Sequence, residues 1–173
     1  PDGSMKWQYS FNDYFYNGNV PSVKHDGTIY LSGYKLENPL DSSPTAGVKG
    51  ALFAFNPDGT IEWEFESSNR ITTAAAIGWG GVIYIGSDSV LYAIHSDGTK
   101  KWELKLDSRI TAPVIGLNGT IYISSGSTAY AVNPHGDIKW SESIGQSFEI
   151  YSSPSIGENN TIYFNTRSGV HAL

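Results

Sequence analysis

The stretch FNPDGTIEW at Phe55–Trp63 recurs as IHSDGTKKW at Ile94–Trp102 and as VNPHGDIKW at Val132–Trp140. A shortened form, PDGSMKW, occupies Pro1–Trp7. The tryptophans that close the three full copies lie 39 and 38 residues apart. A period near 40 residues, rich in strand-forming residues, predicts a series of stacked β units instead of one irregular domain.

The unit at 110–143 shows how each repeat is expected to fold. It divides into four short apolar or alternating segments, here named strands A to D, separated by turn residues such as Asn118-Gly119. The segments are Ile110–Ile115, Thr120–Ser124, Thr128–Val132 and Asp137–Ser141. Four short antiparallel strands in fewer than 40 residues are typical of one blade of a β-propeller.

The other units fit the same template, so we predict an all-β fold with a single β-propeller domain over residues 1–173. The expected blades are I at about 20–66, II at about 71–105, III at about 110–143, and IV at about 150–173 plus a strand at 4–9. Three arrangements stay open at this point. The N-terminal strand closes a four-blade ring, the chain is a segment of a longer array, or two copies join head to tail as an eight-blade ring.

Composition narrows the classes of function. The 173 residues carry a net charge of -6, which disfavours nucleic acid as a partner because phosphate contacts need clustered Lys and Arg. No apolar run is long enough for a membrane span, and no signal peptide is visible. The chain has no Cys, and its four His stand at repeat positions without metal-ligand spacing. We therefore expect no metal site and no cofactor.

The units resemble the PQQ-like, or quinoprotein-like, β-propeller repeat. The resemblance is carried by Ala-x-[Asn/His]-x-[Asp/His]-Gly-x-x-x-Trp at Ala54–Trp63, Ala93–Trp102 and Ala131–Trp140. The tryptophan-docking motif of quinoprotein alcohol dehydrogenases has one more residue before its glycine. The resemblance implies that a set of indoles packs between neighbouring blades in a structural role, namely Trp7, Trp63, Trp102 and Trp140.

What the resemblance implies for function is a non-catalytic binding or scaffold module, extracellular or in the cell envelope (periplasm). The dehydrogenases of this family hold their quinone and Ca²⁺ against a vicinal Cys-Cys disulfide, which this chain cannot form. Two alternatives remain. One is a fragment of a PQQ-dependent dehydrogenase, and the other is a structural protein that assembles into larger rings or filaments.

Candidate binding residues fall on the face that carries the D–A and B–C loops, because those loops vary while the opposite turns are uniform. Three loops there are long, at Ser10–Asn19, Tyr34–Gly50 and Ser143–Tyr151. We expect partner contacts, with a protein segment or a glycan, at Tyr14, Phe15, Tyr16, Tyr34, Phe148, Tyr151, Arg70 and Arg109. The competing interpretations are aromatic rings packed on their own blade and simple solvated charges. Self-association is a further alternative, and Trp79, which is off the repeat, is either a contact point or a local cap.

Overall fold

The computed structural model describes residues 2–11, 15–16, 18–36, 48–145 and 152–173. Within these ranges the regular elements are β-strands in four antiparallel sheets, together with one 3-10 turn at Trp79–Gly81. The predicted all-β architecture of consecutive small antiparallel sheets is confirmed.

Each sheet corresponds to one repeat. The first contains β1 (Phe15–Tyr16), β2 (Ser22–Val23), β3 (Ile29–Leu36), β4 (Val48–Phe55) and β5 (Ile61–Ser67). The second contains β6 (Ala76–Ile77), β7 (Ile83–Ser87), β8 (Val90–Ile94) and β9 (Lys100–Lys105). The third contains β10 (Val114–Ile115), β11 (Ile121–Ser125), β12 (Thr128–Val132) and β13 (Ile138–Ser143). The fourth contains β14 (Ser155–Ile156), β15 (Ile162–Thr166) and β16 (Gly169–Ala172). We keep the names blade I to blade IV for these four sheets.

The long hairpin of blade I differs from the prediction. The sequence suggests a loop from Tyr34 to Gly50, but β3 continues to Leu36 and β4 begins at Val48, with Tyr34 opposite Gly50 and Leu36 opposite Val48. The ladder extends because residues 34–36 and 48–50 alternate in side-chain character and pair without a break. Residues 37–47 lie outside the described part of the chain.

The inner strand of each blade is shorter than predicted. Ile110–Ile115 was expected as one strand, but only Val114–Ile115 pairs regularly with β11, and Ile110 makes an isolated bridge to Ser125. Pro113 between them has no N–H to donate to the ladder. The Thr111 hydroxyl accepts the Ser124 N–H at 3.1 Å, so a side chain takes the place of a backbone acceptor there.

The hydrophobic cores lie between consecutive sheets, not inside any one of them. One cluster joins Tyr30 and Leu52 of blade I to Ile83 and Ile85 of blade II. Equivalent clusters join blades II and III and blades III and IV. Because alternate residues of a strand point to opposite faces, β4 also presents Phe53 to the other side, where N-terminal residues cover it. Each blade therefore buries its apolar faces against its neighbours in the repeat series.

The N-terminal segment does not close the ring in this structure. Residues 4–9 form no regular strand, and blade IV has three strands in the described residues. Instead Trp7 and Phe11 lie on blade I, where their rings approach Phe55 to 6.4 Å and 6.1 Å between centroids.

Candidate functional site

A cavity of about 530 Å³ opens among the inner strands, on the face that carries the D–A and B–C loops. All four blades contribute to its wall, through Asn19, Thr72, Arg109 and Ser153. Small residues leave the space open, namely Gly18, Ala74, Ala112 and Gly126. The cavity is therefore a property of the assembled repeats and is absent from any one of them.

A set of polar side chains on the inner strands holds this wall together. The Asn19 amide donates to the Ser32 carbonyl at 3.3 Å and to its hydroxyl at 3.2 Å. The Thr73 hydroxyl accepts the Gly86 N–H at 2.7 Å, as Thr111 does for Ser124. Ser32 in turn donates to the Thr73 carbonyl at 2.6 Å, which links blade I to blade II.

These polar residues were not predicted from the sequence, although the sequence contains a signal for them. When the repeats are aligned on Pro21, Ala75 and Pro113, a hydrogen-bonding residue stands two positions earlier in each, at Asn19, Thr73 and Thr111. The alignment shows that the position is polar, but only the strand register shows which backbone group it meets.

Two groups of the wall have no partner among the described residues. The Thr72 hydroxyl is buried without a hydrogen bond. Arg109 is exposed and makes no salt bridge within the part of the chain that the structure describes. Among the described residues that line the cavity, it is the one ionisable side chain, and it is positively charged.

Arg70 occupies a different place from Arg109. Its guanidinium carbon lies 4.7 Å from the centre of the Tyr34 ring, a cation–π contact. Beside it, Lys35 forms ion pairs with Glu64 and, at 3.5 Å, with Glu66. The structure thus brings Tyr34 and Arg70 together on the extended hairpin of blade I, whereas Arg109 faces the central cavity.

Most of the aromatic residues predicted to contact a partner from the two D–A loops lie outside the described residues. This applies to Tyr14, Phe148 and Tyr151. The backbone of Phe15 and Tyr16 forms β1, which pairs with Lys35 and Tyr34 of β3. The first long D–A loop therefore joins the edge of the blade I hairpin, and the role of its rings stays a prediction.

The repeated indoles contact the turn of the next blade. The Trp63 N–H donates to the Ser96 carbonyl at 2.8 Å, and the Trp102 N–H donates to the Pro134 carbonyl at 3.0 Å. Trp7 makes the same bond to the Pro57 carbonyl at 2.9 Å. A glycine with positive φ lies under each ring, at Gly59, Gly98 and Gly136. A Cβ atom at any of them would meet the indole at 3.0 Å or less.

The other side of the indole faces a tyrosine of its own blade. Tyr30 and Trp63 have ring centroids 5.7 Å apart, and Tyr84 and Trp102 are 5.8 Å apart. That these contacts hold the blades together remains a prediction.

On the face opposite the cavity, hydrogen bonds to Asp carboxylates stabilise the Asp–Gly turns. The Asp58 carboxylate accepts the Thr60 hydroxyl at 2.6 Å and its N–H at 3.0 Å, and Asp97 does the same with Thr99. These bonds favour the charged form and lower the pKa of Asp58 and Asp97 below the ordinary value of 3.8.

Among the described residues, no three His, Asp or Glu side chains are grouped so as to hold a metal ion. In the part of the chain that the structure describes, no helix is long and apolar enough to span a membrane.

Comparison with known proteins gives a family. Residues 48–173 match the family described as outer membrane protein assembly factor BamB. The crystal structure of BamB from Moraxella catarrhalis is similar with a TM-score of 0.74 at 16% identity, over 99% of this chain and 50% of that one. This chain thus spans half the length of that protein. The comparison with curated proteins gives no match.

Other propellers share the fold. A protein of unknown function from Bacteroides caccae has a TM-score of 0.63 at 12% identity, over 95% of this chain and 61% of that one. A putative gluconolactonase has a TM-score of 0.57 at 15% identity, over 88% of this chain and 57% of that one. At such identities the likeness shows the fold alone.

Proposed function

Since the chain belongs to the family of the outer membrane protein assembly factor BamB, we propose that it is a non-catalytic module that binds an extended segment of a protein partner in the central cavity. The observation that carries this proposal is the cavity of about 530 Å³ to which all four blades contribute. The name of the family also supports a place in the cell envelope.

The wall of the cavity suits a polypeptide. The cavity is lined by the segments just before the inner strands, such as 72–74 and 108–112. Among the described residues, the inner strands β6, β10 and β14 each pair with one neighbour only, so each leaves one edge without a strand partner beside the cavity. An extended segment binds such an edge through its own backbone, and its side chains then set specificity. Arg109 supplies a positive group for a carboxylate of that segment.

Selection of peptides tests this proposal. A random short-peptide library is displayed on phage, selected on the full chain, and the affinity of each selected peptide is measured in solution. We expect Arg109→Glu to weaken binding by about tenfold or more, which corresponds to about 1.4 kcal/mol. Lys101→Glu, the same charge reversal on the outer strand β9, is the matched control and should leave the affinity unchanged.

Two outcomes would overturn the proposal. One is equal loss of affinity in both variants, which would place binding outside the cavity. The other is a library that yields no binder while a glycan array does, which would assign the face to carbohydrate.

A quinoprotein dehydrogenase is not the function we propose. Dehydrogenases of that kind need a vicinal Cys pair beneath the quinone, and the chain has no Cys. Addition of PQQ with Ca²⁺ should therefore leave the melting temperature unchanged, because only a ligand that binds the folded state raises it. A melting temperature that rises with quinone concentration would contradict a purely non-catalytic role.

A further inference from the structure

The segment at 108–112 of blade III presents two polar side chains together on the wall of the central cavity. Ile110 in its middle is 3% exposed, packs in the core and bridges Ser125. Because neighbours in an extended segment point to opposite sides, Arg109 and Thr111 both point away from that core. Both line the cavity, so a guanidinium and a hydroxyl share one patch of its wall.

The position of this patch is fixed by contacts with two blades. The Ile110 N–H donates to the Asp88 carbonyl of blade II at 2.9 Å, and Ile110 bridges Ser125 of blade III. A Cβ atom at Gly86 would lie 2.7 Å from the Ile110 side chain, so the glycine permits this close approach. The backbone next to Arg109 is therefore held at the boundary between blades II and III.

The Thr111 hydroxyl has only its proton left for a ligand. Its oxygen accepts both the Ser124 N–H and the Ser124 hydroxyl, each at 3.1 Å. A hydroxyl oxygen has two lone pairs, so its capacity as an acceptor is used. Its proton has no acceptor among the described residues. A hydroxyl that accepts hydrogen bonds is also the stronger donor, since bonds in a chain polarise one another.

Arg109 likewise offers donors only. A guanidinium carries N–H groups and no acceptor, and this one makes no salt bridge within the described ranges. No Asp or Glu occurs among the described residues that line the cavity. The patch formed by Arg109 and Thr111 therefore presents a positive charge and hydrogen-bond donors to whatever enters the cavity.

Blade II does not repeat this pair of donors. Its Thr73 hydroxyl accepts a backbone N–H, as Thr111 does in blade III. Its arginine, Arg70, instead lies 4.7 Å from the centre of the Tyr34 ring. Thr73 therefore has the structural bond of Thr111 without a cavity-lining arginine beside it, which makes it a matched control.

Building on the proposed binding of a protein segment, we propose that Arg109 and Thr111 form a subsite for one carboxylate of that segment. A carboxylate accepts several hydrogen bonds, so the guanidinium N–H groups and the hydroxyl proton can share it. An amide in the same place has one oxygen, and its NH2 group would face other donors. The subsite therefore selects Asp or Glu over Asn or Gln, or else a free C-terminal carboxylate.

Three pools of synthetic hexapeptides with acetylated N-termini test this selection on the immobilised full chain. The first pool contains Asp and Glu and has amidated C-termini. The second replaces them by Asn and Gln and so carries no carboxylate. The third equals the second but has free C-termini. Bound peptides are identified by mass spectrometry, and their affinities are measured in solution.

We expect the first or the third pool to give binders at least about tenfold tighter than any from the second. A tighter first pool assigns the subsite to an acidic side chain, and a tighter third pool assigns it to the end of a chain. Equally tight binders from the second pool would overturn the carboxylate subsite and leave the proposed function standing. Binding from none of the pools would overturn both.

Variants of Thr111 test its part by the ratio of affinities for a selected peptide and its carboxylate-free counterpart. A general loss of fold weakens both peptides alike and leaves this ratio unchanged. Thr111→Val should lower the ratio by about fivefold, because one donor to the charged group is lost. Thr111→Ser retains a hydroxyl and should retain the ratio.

Thr73→Val is the control for structural damage, because it removes the equivalent bond to the backbone of blade II. It should weaken the fold as Thr111→Val does and leave the affinity ratio unchanged. An unchanged ratio in Thr111→Val, or an equal fall in Thr73→Val, would overturn the assignment of Thr111 to the subsite.

Discussion

Truncation of Trp102 tests how far the indoles stabilise the fold. Trp102→Ala removes the bond to the Pro134 carbonyl and the contacts with Tyr84 and the Gly136 turn. The hydrogen bond is worth about 1 kcal/mol, and burial of part of a large ring adds about 1.5–3 kcal/mol. We therefore expect the free energy of unfolding to fall by about 2.5–4 kcal/mol, which overlaps the lower part of the range for fully buried Trp-to-Ala changes.

The assay is urea unfolding at one fixed protein concentration, which keeps any effect of self-association constant. Trp102→Phe should keep most of the packing and lose about 1–2 kcal/mol, mainly through the missing N–H. Trp79→Ala is the matched control, because Trp79 is off the repeat and 74% exposed. Its loss should stay within about 0.5 kcal/mol. A Trp102→Ala variant as stable as Trp79→Ala would refute the interpretation that the repeat indoles hold neighbouring blades together.

Three further predictions use stability as the readout. Gly98→Ala should destabilise the chain more than Gly80→Ala, because only the added Cβ at Gly98 lies 2.8 Å from an indole, although both glycines have positive φ. This additional destabilisation should vanish when Trp63 is also replaced by Ala, and its persistence there would contradict the assigned contact. Thr73→Val should lower the free energy of unfolding by about 1–3 kcal/mol, because it leaves the Gly86 N–H unpaired. Thr72→Val should be nearly neutral, since the Thr72 hydroxyl has no partner among the described residues. Equal losses of stability in calorimetry would contradict this difference between the two threonines. The turn carboxylates of Asp58 and Asp97 have lowered pKa values, so the stability that they contribute is present above pH 3.8, the ordinary pKa, and is lost as pH falls through the folded-state pKa. An Asp58→Asn, Asp97→Asn double variant should therefore lose less of its urea midpoint on acidification than the unmodified chain. An identical loss would show that these carboxylates do not contribute to the pH dependence of stability.

Local chemistry made much of the fold predictable from the sequence. Strands B, C and D are defined by alternation, and the A–B and C–D turns by Asn-Gly and Asp-Gly, so their positions depend on neighbours in sequence alone. The spacing of Trp63, Trp102 and Trp140 then predicts one sheet per repeat.

Features that depend on register across strands were not predictable in this way. The extension of β3 to Leu36 can be predicted only if it is known that Leu36 lies opposite Val48 on the partner strand. The inner strands are short because Thr111 and Pro113 interrupt the ladder, which a count of apolar residues does not reveal.

The candidate site, too, was predictable only where its residues depend on local sequence. Arg109 was selected for its place at the start of strand A, and it lines the cavity. Arg70 has the same sequence context, Arg-Ile-Thr, and the same register, since Ile71 bridges Ser87 as Ile110 bridges Ser125. Its guanidinium nevertheless meets Tyr34 of the extended blade I hairpin. A contact between two blades is set by how their sheets pack, and the sequence of either blade alone does not contain it.

Hydrogen exchange of the five indole N–H groups, followed by NMR, tests most directly whether each repeat tryptophan joins one blade to the next. The N–H groups of Trp63 and Trp102 are bonded to carbonyls of the following blade, whereas Trp79 is 74% exposed. We expect the first two to exchange at least about tenfold more slowly than Trp79. Equal rates for all three would contradict the account.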